Sequence, residues 1–236
     1  MRPEAGVKIL VLNANTTQSV TEALVARLAP VCPSNVQLVG ATAAFGAPYV
    51  ANPSAVTVAG HAALAAVRTA VAEEAEAGRP PFDACLYACF GEPGIDALRD
   101  EMAFPIAGMA EASILCALQL GERFSILTVG EAWPPMLRAL MRRTALFDRC
   151  AGIGVVPGDA LALAGDRAEG ARIVRGVAVD LAERQRPDVI IVGGAALAGT
   201  AGDLTQACGL PVLDSLFASF EQVLALARLV SAQGRT

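Results

Sequence analysis

The chain is 236 residues long; 54% of its residues are hydrophobic, 17% are charged, and its formal net charge is −5. This length and hydrophobicity allow one large domain or two smaller lobes with an ample core. The acidic balance and the lack of a Lys/Arg run argue against binding to nucleic acid or to an anionic membrane surface.

The sequence carries no pattern for secretion or membrane insertion. Its first apolar stretch, residues 7–12, is too short for a signal peptide, and no run of about 18 uninterrupted apolar residues occurs. We therefore expect a cytoplasmic protein, in which the six cysteines are reduced thiols rather than a disulfide framework. The one histidine, His61, is interpreted as a solvated or half-buried helical residue; no metal site and no cofactor are predicted.

Short apolar runs alternate with longer Ala/Leu-rich stretches, which indicates alternating strands and helices. The predicted strands are 8–12, 36–40, 84–89, 106–109, 124–129, 152–156, 189–192 and 211–213. The predicted helices are 19–28, 53–77, 94–101, 111–120, 133–144, 167–185, 200–207 and 216–231. We expect a loop over 157–166 and a frayed polar tail over 232–236. Continuous apolar strands separated by helices favour parallel sheets covered on both faces.

Eight β/α units are compatible with a closed barrel or with two lobes. Two similar strands, each led by an aspartate (Asp83 and Asp188) and ended by small residues, lie about 100 residues apart, which is typical of a duplicated lobe. We therefore predict two pseudo-symmetric lobes, each a four-stranded, mostly parallel sheet flanked by helices, with the site in the cleft between them. Lobe 1 spans residues 1–104 and 215–236, and lobe 2 spans residues 105–214.

Cys89 ends the apolar run 84–89 and is followed by Phe90-Gly91-Glu92-Pro93-Gly94. Ligands collect at the carboxyl ends of parallel strands, and a helix N-terminus there favours a thiolate. The remaining thiols lie at the amino ends of strands, inside a helix or deep in the strand (Cys32, Cys150, Cys208, Cys116 and Cys85). Cys89 is therefore the candidate catalytic residue.

The first predicted strand ends in Asn13-Ala14-Asn15-Thr16-Thr17. These side chains either cap the following helix or hold a carboxylate or imide-like oxygen over its N-terminus, and the sequence leaves both interpretations open. The segment is not a dinucleotide fingerprint, because G-x-G-x-x-G is absent both here and over residues 193–199.

Several segments match the motifs of one superfamily, in order and over nearly the whole chain. Cys89-Phe-Gly-Glu-Pro-Gly94 resembles C-F-G-D-P-G, which is the most specific match. Residues 11–17 are similar to a start containing N-P-N-T-[ST], residues 46–50 to G-P-x-x-I-E, and residues 105–112 to P-V-x-G-I-A-E-A. Together with residues 124–128 and 211–214, they resemble the aspartate/glutamate/hydantoin racemase superfamily, closest to its hydantoin and allantoin racemase branch.

The resemblance implies two α/β lobes and cofactor-independent racemisation by two cysteines. One thiolate removes the Cα proton, and the opposing thiol delivers a proton to the other face. The chain departs from this pattern where the family has L-G-C-A-G-M, because residues 192–197 read V-G-G-A-A-L and place Gly194 at the second cysteine. Ala14 and Ala51 likewise replace a proline and a glutamate of the family.

The sequence therefore predicts a racemase or epimerase acting on a hydantoin, allantoin or amino-acid-type substrate through Cys89. Water or a polar residue, with Asp214, Thr128 and Glu111 as candidates, would replace the second cysteine. Two alternatives stay open: a single-cysteine decarboxylase of the arylmalonate type, and a member that binds a small acid or cyclic imide without turnover. The expected partner is a small carboxylate or a cyclic imide or ureide, and association with further copies of the chain is left open. The predicted substrate-binding residues are Asn13, Asn15, Thr16, Phe90, Gly91, Thr128, Gly193, Gly194 and Ala195.

Overall fold

The computed structural model of the chain describes residues 6–158, 167–194 and 197–233. It divides into two units that are each built on their own sheet. Unit 1 takes in Met1–Val50, Ser54–Met109 and Ser219–Thr236, and unit 2 takes in Ala51–Pro53 and Ala110–Ala218.

Unit 1 contains a four-stranded parallel sheet in the order β2-β1-β3-β4. Its inner strands, β1 and β3, are almost entirely buried because helices cover both faces of the sheet. The strands are β1 (Val7–Asn13), β2 (Val36–Thr42), β3 (Ala84–Tyr87) and β4 (Ile106–Gly108). The helices are α1 (Gln18–Leu28), α2 (Pro53–Glu76) and α3 (Ile95–Glu101), with a 3-10 turn over Ala29–Val31.

Unit 2 repeats this arrangement with the strand order β6-β5-β7-β8, again all parallel. Its strands are β5 (Phe124–Val129), β6 (Cys150–Val156), β7 (Val189–Val192) and β8 (Val212–Asp214). Helix α4 (Met109–Leu120) precedes β5. The other helices are α5 (Trp133–Arg143), α6 (Arg167–Gln185) and α7 (Ala201–Cys208), with a 3-10 turn over Phe147–Arg149. Helix α8 (Ser215–Gln233) begins in unit 2 and continues into unit 1.

Two separate sheets with matching strand order confirm the predicted α/β class and exclude the barrel. Each predicted strand and helix is present with its ends displaced by at most two residues. The start of the expected frayed tail is helical, since Ala232 and Gln233 form the end of α8. Both residue types have a favourable helix propensity. Residues 159–166 of the expected loop and residues 234–236 lie outside the described residues.

An ion cluster with a buried centre joins β1, α2 and the connection before β3 at the amino end of the unit 1 sheet. The Lys8 ammonium of β1 donates to the Glu74 carboxylate of α2, and the Arg79 Nε donates to the same carboxylate at 2.7 Å. The backbone N–H of Lys8 donates to Asp83 Oδ2 at 2.7 Å, just before β3. Hydrogen bonds from Arg79 and Lys8 lower the pKa of Glu74 to about 2. This cluster anchors the end of the sheet opposite to the one that carries Cys89.

Helix α2 is long and apolar enough, by length and composition alone, to cross a membrane, and it is the one such helix among the described residues. Its small side chains pack into the core of unit 1, where Ala59, Ala63, Val67 and Ala70 are buried. Core helices of globular proteins pass the same length and composition test, so this feature is weak evidence for a membrane span.

Candidate active site

Cys89 lies just beyond the carboxyl end of β3, on the inner part of the unit 1 sheet. The ladder ends at Tyr87, which pairs with Leu12 of β1 and Gly108 of β4, and the Ala88 N–H then donates to the Leu12 carbonyl at 2.8 Å. The strand predicted over 84–89 is thus two residues too long, because β4 ends at Gly108 and offers no partner beyond Tyr87. Cys89 is partly exposed, and its side chain packs at the margin of the unit 1 core.

A tight turn holds backbone donors against the Cys89 thiol. The N–H groups of Gly91 and Glu92 both hydrogen bond to it, and the Glu92 N–H also donates to the Cys89 carbonyl at 3.0 Å. Within the same turn, the Tyr87 hydroxyl donates to the Pro93 carbonyl at 2.9 Å. Phe90 is buried and Gly91 is partly exposed, so Phe90 secures the turn and Gly91 supplies a donor.

Helix α2 packs directly on the end of this turn. Gly94 has a left-handed conformation, with φ of 72°, that glycine adopts without strain. A Cβ atom at Gly94 would lie 3.0 Å from the Gly60 Cα of α2, so two glycines allow backbone to touch backbone. The turn that carries Cys89 is therefore positioned by β3 on one side and by α2 on the other.

The thiol of Cys89 is held in its protonated form at neutral pH. Burial raises the pKa of Cys89 to about 11, the Gly91 N–H opposes this rise, and the negative charge of Glu92 adds to it. The expectation that a helix N-terminus favours a thiolate at Cys89 is therefore wrong. Helix α3 starts only at Ile95, and desolvation by the surrounding protein outweighs the two backbone donors.

Glu92 is a site residue that sequence reasoning missed. Its side chain is buried, with a relative exposure of 2%, and its backbone is left-handed with φ of 48°. Its carboxyl group fills the space above Gly108 at the end of β4: a Cβ atom on Gly108 would lie 2.3 Å from both Cδ and Oε1 of Glu92. A glutamate beside Pro-Gly is typical of an exposed turn, so only the distant glycine could have indicated its burial.

The Asn13–Thr17 segment forms a closed hydrogen-bond network. The Asn13 Nδ2 donates to Asn15 Oδ1 at 2.9 Å and to Thr21 Oγ1 at 3.1 Å, while Asn15 Oδ1 accepts the Thr17 N–H at 2.9 Å. The Thr16 N–H donates to the Ala47 carbonyl at 3.1 Å. These bonds show that the segment organises its own turn. They differ from a helix cap, because Thr17 is the N-cap residue and makes no side-chain cap bond.

Unit 2 contains a position equivalent to Cys89. The Gly193 N–H donates to the Leu127 carbonyl at 2.8 Å, as Ala88 does to Leu12 in unit 1. The Leu197 N–H then donates to the Gly194 carbonyl at 3.2 Å, as Glu92 does to Cys89. Gly194 therefore occupies in unit 2 the place of Cys89. It has φ of 96°, and a Cβ atom there would meet no other atom of the described residues within 4 Å. Ala195, a predicted site residue, lies outside the described residues.

The polar candidates of unit 2 differ in what they contact. Asp214, at the end of β8, accepts the Gly199 N–H at 2.5 Å through Oδ2 and the Leu216 N–H at 3.0 Å through Oδ1, so both carboxylate oxygens hold backbone. Thr128 is buried at the end of β5, with a relative exposure of 3%, and Glu111 is partly exposed in the first turn of α4.

The other cysteines and the histidine have their own surroundings in the fold. Cys85 is fully buried inside β3, where desolvation raises its pKa far above the ordinary thiol value. Cys150 is the first residue of β6 rather than a residue ahead of it. All six cysteines are free, and no cluster of His, Cys, Asp or Glu in the described part of the chain has the makings of a metal site. His61 is exposed and packs edge-on against Phe45, with ring centroids 5.2 Å apart.

The repeated parallel α/β unit places the chain among two-unit α/β folds, and unit 1 carries a thiol at the carboxyl end of an inner strand. The sequence profile of Asp/Glu/Hydantoin racemase matches residues 9–223. The chain therefore belongs to the Asp/Glu/hydantoin racemase family, which confirms the resemblance found from its motifs.

Three relatives illustrate this membership. The hydantoin racemase of Pseudomonas sp. (strain NS671) is 29% identical over 215 residues, which cover 90% of this chain and 82% of that protein. The crystal structure of allantoin racemase from Pseudomonas fluorescens superimposes with a TM-score of 0.86 at 28% identity, covering 94% of this chain and 92% of that one. Allantoin racemase from Klebsiella pneumoniae gives a TM-score of 0.84 at 25% identity, covering 95% and 89%.

Proposed function

We propose that this chain is a cofactor-independent racemase or epimerase that exchanges the proton on the stereogenic carbon of a small cyclic ureide or imide of the hydantoin type. The observation that carries the proposal is Cys89, a partly exposed residue just beyond β3 whose thiol is contacted by two backbone N–H groups. The names of the relatives, hydantoin racemase and allantoin racemase, point to the same class of substrate.

A thiol suits this chemistry because it serves as acid and, once deprotonated, as base. As a thiolate, Cys89 would take the proton from carbon, leaving a planar enolate-like carbanion whose charge spreads onto the adjacent carbonyl. As a thiol, it would deliver a proton to one face of that carbanion. Since the pKa of Cys89 is about 11, the free enzyme holds the donor form at neutral pH. Proton removal by Cys89 should therefore accelerate as the pH rises toward that value.

The connections at the carboxyl ends of the strands favour a neutral ring over a charged substrate. Among the described residues of these connections (14–17, 43–52, 88–94, 130–132, 157–158, 193–194 and 197–200), none is Lys, Arg or His. The sequence of residues 159–166 and 195–196 contains none either. Carboxylates are most often bound by Arg or Lys, so a free amino acid or a malonate lacks its usual partner here. A hydantoin ring needs only neutral donors and acceptors.

The second proton is proposed to come from water. Gly194, equivalent to Cys89 in unit 2, offers no acid or base, and no atom of the described residues occupies the space that its Cβ would fill. Asp214 is a poor substitute because both of its oxygens already accept backbone N–H bonds. The proposal therefore assigns one face of the carbanion to the Cys89 thiol and the other face to water.

The proposal is tested in heavy water with each enantiomer of a 5-substituted hydantoin, a free amino acid and a disubstituted malonate. We expect deuterium at C5 of the hydantoin together with inversion, and no exchange into the amino acid above the buffer rate. Exchange with complete retention would reject the racemase, and release of carbon dioxide from the malonate would establish the decarboxylase instead. Tight binding of a hydantoin without any exchange would identify a non-catalytic binding member.

A further inference from the structure

We propose that Glu92 is a positioning residue for Cys89: its buried carboxylate, seated against Gly108, holds the Gly91–Glu92 backbone on the sulfur and keeps a negative charge beside it. This inference deepens the proposed function, on which its consequence for turnover rests. Its direct consequence, a change in the reactivity of the thiol, can be measured without any substrate.

The first support is the fit between Glu92 and Gly108. The carboxyl group lies where any side chain at position 108 would begin, 2.3 Å from the site of a Cβ atom. The same Cβ would also lie 2.7 Å from Ile95 Cδ1, so glycine at this strand end makes room for packed atoms on two sides. Burying a carboxylate is costly unless it is well placed, and a left-handed glutamate adds backbone strain. The surrounding structure therefore holds Glu92 in one defined place.

The second support comes from unit 2, where an independent carboxylate has the same place. Gly108 pairs with Tyr87 at the end of β3, and Asp214 pairs with Val192 at the end of β7, so positions 108 and 214 are equivalent. The Asp214 carboxylate holds the connection after β7 by accepting the Gly199 N–H. In unit 1 the strand residue is glycine, and the carboxylate comes from the connection itself. Each unit thus sets one carboxylate between its edge strand and the turn at position 89 or 194.

The charge of Glu92 acts on the thiol as well as on the turn. Titratable groups near the sulfur include Cys85 and Tyr87 from β3 and Glu92 from the turn. Of these, Glu92 is the charged group whose negative charge adds to the rise in the pKa of Cys89 that burial causes. Among the described residues of unit 1, no charged side chain of α2 or α3 shifts the pKa of Cys89. Removing that charge should therefore make the thiol more acidic.

The test is the pH dependence of Cys89 alkylation by iodoacetamide, resolved for each cysteine by mass spectrometry. We expect Glu92→Gln to lower the alkylation midpoint and to raise the rate at pH 8 about tenfold, the equivalent of one pKa unit. Glu92→Asp keeps the charge but shortens the side chain, so its midpoint should lie closer to that of the wild type than the midpoint of Glu92→Gln does. Gly108→Ala keeps the carboxylate but obstructs its seat, so it should also move the midpoint.

Gly176→Ala is the matched control, since a Cβ there meets no other atom within 4 Å. Circular dichroism establishes that each variant is folded. Should Glu92→Gln fail to fold, the Gly108→Ala midpoint decides in its place. An unchanged alkylation midpoint in folded Glu92→Gln would overturn the inference. If Glu92→Gln does not fold, an unchanged midpoint in Gly108→Ala would overturn it instead. A shifted midpoint in a protein that exchanges no hydantoin proton would leave the inference standing and reject the proposed function.

Discussion

Units 1 and 2 share a backbone plan but carry different chemistry at equivalent positions. Both sheets have the same strand order. The connections after β3 and β7 begin with equivalent backbone hydrogen bonds. Unit 1 then places Cys89 where unit 2 places Gly194. The carboxylate beside that position comes from the connection in unit 1 (Glu92) and from the edge strand in unit 2 (Asp214).

This difference shows which part of such a fold is constrained. Strand register and the first N–H of each connection are obligatory backbone interactions, and they are the same in both units. The side chain at the position that follows is constrained only by its chemistry and by the local dihedral angles. A repeated fold can therefore carry a thiol on one unit and none on the other, and the substitutions below test whether activity follows that asymmetry.

The largest expected effect is the loss of Cys89. Changing Cys89→Ser should lower enzymatic C5 exchange about 1,000-fold or more, because a hydroxyl is a far weaker acid than a thiol. Cys85→Ala, only four residues away but sealed inside β3, should leave the rate within a few-fold of wild type. Equal losses in both variants, measured by proton NMR in heavy water, would show that Cys89 has no special role.

The next test places a thiol on unit 2. Gly194→Cys has room for its side chain, but φ of 96° makes any non-glycine residue there strained by about 1–3 kcal/mol. Gly194→Ala should show the same loss of stability in urea unfolding, which separates strain from chemistry. Because position 194 is equivalent to Cys89, inversion should be faster in Gly194→Cys than in Gly194→Ala. Equal inversion rates in the two variants would count against that role.

Removing the carboxylate of unit 2 should affect stability. Asp214→Ala leaves the Gly199 and Leu216 N–H groups without their acceptor, which should cost about 1–3 kcal/mol in the free energy of unfolding. Glu183→Ala, an exposed position on α6, should stay within about 0.5 kcal/mol. A loss no greater than that of the surface control would show that Asp214 does not hold the connection.

The smallest expected effect is a shift in acid stability from the ion cluster of unit 1. The pKa of Glu74 is lowered to about 2, so its contribution to stability is present above about pH 4.5 and is lost as the pH falls toward 2. Glu74→Gln should lower the Tm at neutral pH and flatten its decline over that acid range. Glu101→Gln, which breaks the more exposed pair with Arg68, should change the profile less. A steeper acid decline in Glu74→Gln than in wild type would contradict this assignment.

Most of the fold was predictable because its signals are local. Apolar runs such as residues 124–129 and 189–192 have the same ends in the sequence prediction and in the structure, since buried parallel strands tolerate few polar residues. The position of Cys89 followed from the same pattern, together with the turn residues that come after it. These features depend on neighbours within a few residues.

The features that escaped prediction depend on distant residues. Glu92 is buried only because Gly108, on another strand, leaves space for it. The raised pKa of Cys89 results from burial by the whole unit, whereas the local sequence suggested a helix N-terminus and a thiolate. The left-handed backbone of Gly194 carries no local signature beyond a pair of glycines.

The most direct measurement of the central claim follows deuterium at C5 and optical rotation together, for each enantiomer of one hydantoin, with wild type beside Cys89→Ser. If Cys89 is the acid/base, the wild type forms inverted product that carries deuterium. In Cys89→Ser, both deuterium exchange and inversion should fall to the rate seen in buffer alone. Exchange and inversion at undiminished rates in Cys89→Ser would contradict it.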